Sequence, residues 1–222
     1  MLVRVNGNSG KPTTSNELSA LSRERVLSSD FCYHRGAEIY GEGEPAEFIY
    51  QIIEGAIRSY KLLADGRRQI GAFHLPGDIF GVENAGIHRF TAEAIVDTSV
   101  RLLRRRGVDD VAEGDASVMH DLLDLTTKNL EHAENHMLLL GRKTALERTA
   151  AFLVEMDRRL AGTDVIALPM NRQDIADYLG LTLETVSRAL STLHGEGVLT
   201  FVGQTQRRIA LLNRGKLTQA AA

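Results

Sequence analysis

Residues 172–191 read RQDIADYLGLTLETVSRALS, and the placing of small and apolar residues there constrains the fold more tightly than any other stretch. Ala176 is small where two helices must approach, Gly180 follows four residues later at a tight turn, and Val186 comes six residues after that, where a second helix packs back on the first. Ile175, Leu179, Leu181 and Leu190 supply a shared apolar core. This pattern predicts a helix-turn-helix, in which the first helix supports and the second is offered to a major groove. Thr182 is placed to cap the second helix through its side-chain oxygen. Glu184, Thr185, Ser187 and Arg188 then fall on its exposed N-terminal part. Arginine donates a fork to guanine O6 and N7, glutamate accepts from cytosine N4, and serine or threonine bonds a base edge or a phosphate. Downstream, residues 198–202 and 207–212 flank Gly203-Gln204-Thr205-Gln206, which predicts a β-hairpin wing carrying Arg207 and Arg208 as candidate phosphate contacts.

The texture upstream is different. Residues 31–106 are short β-rich runs punctuated by nine glycines, with residues 48–53 and 56–62 separated by Glu54-Gly55 and a strong hairpin signal at Asp65-Gly66. That spacing suits a jelly roll. After Gly114 the pattern turns helical and stays so to about residue 161. Met119, Leu123, Thr126, Leu130, Ala133, Met137, Leu140 and Thr144 follow at alternating steps of four and three, a heptad seam that a second copy of the helix would bury. Leu122, Leu125, Leu138 and Leu139 remain to pack on the β domain. Periodicity alone leaves open a single amphipathic helix buried within its own chain. The expected order is an N-terminal arm and short polar helix (1–28, the helix reaching Ser29), a β jelly roll (29–116), a dimerisation helix (117–145) and a winged helix-turn-helix (146–222), an α+β chain.

Composition narrows the function classes. The 222 residues are 43% hydrophobic and 25% charged, the range of globular proteins, and no run approaches the ~18 apolar residues of a membrane span. Residues 1–10 are polar and do not read as a secretory signal, so a cytoplasmic protein is expected. One cysteine, Cys32, makes no intrachain disulfide and cannot hold an iron–sulfur cluster or structural zinc. The net charge of −3 argues against a nucleic-acid coat protein, yet residues 183–222 set Arg188, Arg207, Arg208, Arg214 and Lys216 against only Glu184 and Glu196. An anionic partner belongs at that basic end.

With GEGEPAEFIY at 41–50, Glu54-Gly55, PGDIFG at 76–81 and MNRQDIADYLGLT at 170–182, the chain resembles the CRP/FNR family of bacterial transcription regulators, in its FixK-type branch, over nearly its whole length. Glu184, Ser187 and Arg188 match the E-x-x-S-R signature of FNR-like members. The resemblance implies a homodimer reading a palindrome of TTGAT, spacer, ATCAA, with Arg172, Gln173, Thr182 and Thr185 among the DNA contacts and RNA polymerase as a partner. It further implies activation of genes for low-oxygen respiration, denitrification or nitrogen fixation.

The roll of this family commonly holds a ligand. Cyclic-nucleotide-binding relatives carry a glutamate after Phe-Gly and an arginine before Ser/Thr-Ala; here Phe80-Gly81 is followed by Val82, and Thr91-Ala92 is preceded by Phe90. Glu83 and Arg89 lie one place away, and alternation along a strand would turn them from the pocket. The cysteine cluster of oxygen-sensing FNR proteins is missing. His34, His74 and His88 read as ordinary strand or loop residues rather than haem ligands, and His132 with His136 as the polar outer face of the long helix rather than a zinc pair. Cys32 reads as a small buried hydrophobe, and Arg104-Arg105-Arg106 as a solvated edge. The expectation is therefore no cofactor, no metal and no effector. A ligand-gated regulator of the same family stays open, because apolar pockets leave no motif. A cupin-type enzyme fails for want of clustered histidines, so no catalytic residue is assigned.

Overall fold

The computed structural model describes residues 3–4, 28–83, 86–142, 144–160 and 164–222. Its contacts divide the chain into two compact units, residues 1–62 with 71–132 and residues 63–70 with 133–222.

The strands of the roll are β1 (Val3–Arg4), β2 (Ser28–Tyr33), β3 (Glu38–Tyr40), β4 (Phe48–Glu54), β5 (Ile57–Leu62), β6 (Arg68–His74), β7 (Ile79–Phe80), β8 (Thr91–Ala94) and β9 (Thr98–Arg104). One sheet runs β1-β2-β9-β4-β7 and the other β3-β8-β5-β6. The turn at Glu54-Gly55 passes the chain from one sheet to the other. Gly55 has φ +98, and a Cβ there would lie 2.6 Å from the Thr98 Cα, so this crossing admits only glycine. Asp65-Gly66 does form the β5–β6 hairpin turn, closed by Leu63 N–H donating to the Arg67 carbonyl at 2.8 Å. Side-chain alternation sorts β4: Tyr50 and Ile52 join Tyr40, Ile57, Phe80 and Val100 in the core between the sheets, while Ile49 faces the other way.

On that outer face Ile49, Ile79 and Leu103 are covered by α1 (Arg105–Gly114) through Val108 and Ala112, and by α2 (Ala116–Arg142) through Val118 and Leu125. Leu122 packs there too, as the sequence predicts. Leu138 does not: it is 53% exposed. Thr144 also leaves the seam, because it is the N-cap of α3 (Ala145–Arg159), in a reciprocal capping box with Glu147. At the N-terminus, Val3 and Arg4 pair with Cys32 and Phe31 rather than forming a free arm, and Ser28 and Ser29 open β2 instead of closing a helix. The rest of the expected arm and polar helix, residues 1–2 and 5–27, lies outside the described residues.

The second unit contains α3, β10 (Val165–Ala167), α4 (Arg172–Leu179), α5 (Leu183–Gly195), β11 (Leu199–Val202), β12 (Arg208–Leu211) and α6 (Arg214–Ala220). Helices α3, α4 and α5 pack together over Phe152, Leu153, Met156, Ile175, Leu179, Val186, Leu190 and Leu193, all buried. The β-hairpin of the predicted wing forms from β11 and β12, and β10 adds a third strand along β12.

Candidate nucleic-acid interface

Helix α4 is fixed at both ends. Asn171 accepts from the Asp174 N–H at 2.9 Å while Asp174 accepts from the Asn171 N–H at 3.2 Å, which satisfies two orphan donors. The same Asp174, fully buried, takes Arg68 Nη2 at 2.7 Å, and Arg68 Nε reaches Asp177 at 2.8 Å. At the other end His136 Nε2 meets the Tyr178 carbonyl at 2.8 Å and Arg148 Nη1 donates to the Leu179 carbonyl at 3.0 Å. A cation at a helix C-terminus also complements the helix dipole. The His136 ring stacks on Tyr178 with centroids 4.1 Å apart, so this histidine belongs to packing and not to the polar outer face. Burial, then the Glu155 carboxylate, pushes the Tyr178 phenol well above its ordinary range.

Gly180, at φ +61, ends α4 in the left-handed conformation and lets the chain turn into α5. Thr182 caps α5 by accepting from the Thr185 N–H at 3.2 Å. Ala176, Ile175, Leu179, Val186 and Leu190 are buried as the motif requires, and Leu181 is half-buried. Glu184 and Arg188 are exposed, whereas Thr185 and Ser187 are half-buried. The Glu184 carboxyl is held below the usual carboxylate range, first by its own backbone N–H at the helix start, then by the Thr182 hydroxyl, with Arg188 adding a smaller pull. Arg172, expected as a DNA contact, is engaged within the protein: Nη1 donates to Ser187 Oγ at 3.1 Å and Nη2 to Gln206 Oε1 at 2.5 Å. Gln173 is exposed and donates to Asp177 at 2.7 Å. Arg208 is exposed on β12, and Arg207 is half-buried beside it. Sequence reasoning missed Arg68, Arg148 and His136 as supports of α4, for their partners lie 31 to 109 residues away and no local pattern marks them.

Inside the roll, aromatic rings stack in pairs. Tyr40 stacks on His88 at 3.5 Å, Tyr50 on Phe80 at 5.1 Å and His74 on Phe80 at 4.9 Å. His88 is 1% exposed, and its Nδ1 lies 2.7 Å from the Glu83 carboxylate. The strand ends at Phe80, so alternation does not govern Glu83, and its side chain turns onto His88 instead of away. Arg89 is exposed, with its N–H donating to Glu83 at 3.2 Å. Burial foremost, then Glu83, raises the Tyr40 phenol.

Residues 147–220 match the family model of a Crp-like helix-turn-helix domain, and residues 31–115 that of a cyclic nucleotide-binding domain. The nitrogen fixation regulation protein FixK of Rhizobium meliloti is 46% identical over 161 residues, covering 72% of this chain and 73% of that protein. The solved structure of FixK2 from Bradyrhizobium japonicum has 60% identity and a TM-score of 0.85, over 88% of this chain and 98% of that one. The fumarate and nitrate reduction regulatory protein of Escherichia coli is 30% identical over 216 residues, 95% of this chain and 85% of its own length. The chain belongs to the CRP/FNR family of transcription regulators. As a member of that family it carries a helix-turn-helix DNA-binding domain and is not an enzyme. No group of residues suited to a metal ion occurs among the described residues of this CRP/FNR regulator, and none of its described helices is long and apolar enough to cross a membrane. Its long helix leaves Met119, Leu123, Leu130 and Met137 between 51% and 64% exposed in the single chain, with Thr126 and Ala133 exposed and Leu140 half-buried on the same stripe.

Proposed function

We propose that the chain is a homodimeric transcription activator that binds a TTGAT, spacer, ATCAA palindrome without a small-molecule effector. The observation that carries this reading is the disposition of Glu184, Ser187 and Arg188 along the first two turns of a capped, buried-backed α5, in the E-x-x-S-R spacing. Arg188 offers its fork to the guanine, Glu184 accepts from a cytosine on the opposite strand, and Thr182, Thr185, Arg172, Gln173, Arg207 and Arg208 surround them as further DNA contacts. A two-fold site requires a two-fold protein, and the exposed stripe of Met119, Leu123, Thr126, Leu130, Ala133, Met137 and Leu140 suits a second copy of α2. The relatives named as nitrogen fixation regulation proteins support nitrogen-fixation genes among the targets; genes of low-oxygen respiration or denitrification, RNA polymerase as the partner on the promoter and the cytoplasm as the site of action complete the reading. The ring stack of Tyr40, His88, Tyr50, Phe80 and His74, with Val82 where relatives place a glutamate, supports effector-free action.

A second reading, a ligand-gated regulator, is favoured by the match of residues 31–115 to a cyclic nucleotide-binding domain. Fluorescence anisotropy with ligand-free protein separates the proposal from failure: the palindrome should bind at least ~10³-fold more tightly than a scrambled duplex at physiological salt. Equal binding to both duplexes would refute the site.

A further inference from the structure

We propose that Arg172 is a positioning residue that fixes how Ser187 reads DNA: its guanidinium grips the serine oxygen and the wing tip together, leaving the Ser187 proton to be donated outward. The inference rests on the DNA-binding reading above and adds a specificity element to it. Arg172 joins a residue 15 positions along the chain on α5 to one 34 positions along on the wing, Ser187 Oγ at 3.1 Å and Gln206 Oε1 at 2.5 Å. Its guanidinium carbon also lies 5.4 Å from the centre of the Phe201 ring on β11. Gln206 has φ +52, the one non-glycine residue with positive φ among the described residues. Such a conformation persists where its surroundings enforce it, and the Arg172 bond is one such constraint.

The chemistry follows from the donor inventory. Arginine has five N–H donors and no acceptor, so the Ser187 oxygen must accept in this bond. A hydroxyl has one proton and two lone pairs; with a guanidinium on one lone pair, the O–H vector turns away from that cation. Ser187 is thereby biased to donate, which favours guanine O6 and N7, adenine N7, thymine O4 or a phosphate oxygen over the amino groups of cytosine and adenine. The planar fork matters, since two acceptors on different elements are held at once. Lysine, a point charge on a flexible stem, keeps the charge and loses that geometry.

The test is selection from random-sequence duplexes with the full chain as wild type, Arg172→Lys, Arg172→Ala, Ser187→Ala and the Arg172→Lys/Ser187→Ala double variant, followed by titration of the selected site and its single-base variants at several salt concentrations. Wild type should select one site, Ser187→Ala should relax one base pair per half-site, and Arg172→Lys should relax that same pair roughly fivefold with its salt slope unchanged. The double variant should discriminate no worse than Ser187→Ala. Gln206→Ala, on the exposed tip, should produce a smaller loss at the same pair, which keeps the test open if a change at Arg172 disturbs folding. Retained preference in Arg172→Lys would overturn the inference, as would Arg172→Ala weakening all sequences alike with a salt slope lower by about one, the mark of a phosphate contact only. A site selected by wild type but unaffected by Ser187→Ala would leave the DNA-binding reading standing and overturn this one. No selected site at all would overturn both.

Discussion

Arg188 stands exposed on α5 four residues from Glu184, and its charge helps to keep that carboxylate ionised. Truncating it to alanine should cost ~1–3 kcal/mol of binding and relax preference at one base pair, read by comparing affinities for the palindrome and for duplexes with that guanine changed. Arg207→Ala or Arg208→Ala should instead weaken every sequence alike and reduce the salt slope. Full discrimination by Arg188→Ala would remove it from base reading. Glu184 supplies a pH signature. Its folded pKa is depressed, so the charged acceptor form persists above the ordinary carboxylate range and is lost only as pH falls through the depressed value. Discrimination at its base pair should therefore stay flat from about pH 8 to about pH 5; a midpoint in the histidine range would assign that contact elsewhere. The roles of Thr182 and Gly180 were legible in the sequence because capping and left-handed turns are chemistry of adjacent residues. The two bonds of Arg172 to Ser187 and Gln206 were not, since they depend on bringing α5 and the wing around one guanidinium.

Among the elements, the long helix carries two kinds of apolar residue, those buried on the roll and those left exposed. Leu125 is 6% exposed and Leu130 57%, so the stripe of Leu130 is free to be covered by a second copy. Leu130→Glu would place like charges opposite each other across that seam, at a cost of several kcal/mol. Sedimentation should show a dimer for wild type and a monomer for the variant. A wild type that is monomeric at micromolar concentration yet binds the palindrome tightly would refute the seam. Arg68→Ala tests the support of α4: it leaves the buried Asp174 carboxylate without its cation, which should destabilise the second unit by about 3 kcal/mol and lower its thermal midpoint. An unchanged melting curve would show that the Asn171 cap alone suffices. The heptad stripe and the wing were legible because each repeats or alternates over many residues. Helix α1 was not, since the triple arginine read as a solvated edge of the roll and the helical pattern as starting only after Gly114, and β10 is three residues long, too short for alternation to register. Leu138 misled for a related reason: periodicity counts an apolar residue without saying what stands opposite it.

For the molecule as a whole, a net charge of −3 means that DNA affinity must come from the basic end acting twice, once per half-site, rather than from a general attraction. A palindrome presents its half-sites about 34 Å apart, one turn of the duplex, and the two α5 helices of a dimer must meet that spacing. A ligand-gated dimer must be held off that spacing until binding energy moves it, and shifting such an equilibrium from mostly off to mostly on takes ~5 kcal/mol of differential affinity. In this roll a polar effector would have to supply that difference without a glutamate at Val82 or an arginine at Phe90, and against a Tyr40 ring already stacked on His88. The nearby Glu83 is committed to the His88 ring at 2.7 Å and would have to surrender that contact to serve a ligand. Metal-free, ligand-free protein should therefore shift the palindrome at nanomolar concentration in a mobility assay, equally in air and without oxygen, and leave a scrambled duplex free at the same salt. Added cyclic nucleotide should not tighten the complex. If specific binding emerges only after a nucleotide, a metal or a reductant is supplied, the dimer rests in the off state and the roll is a sensor after all.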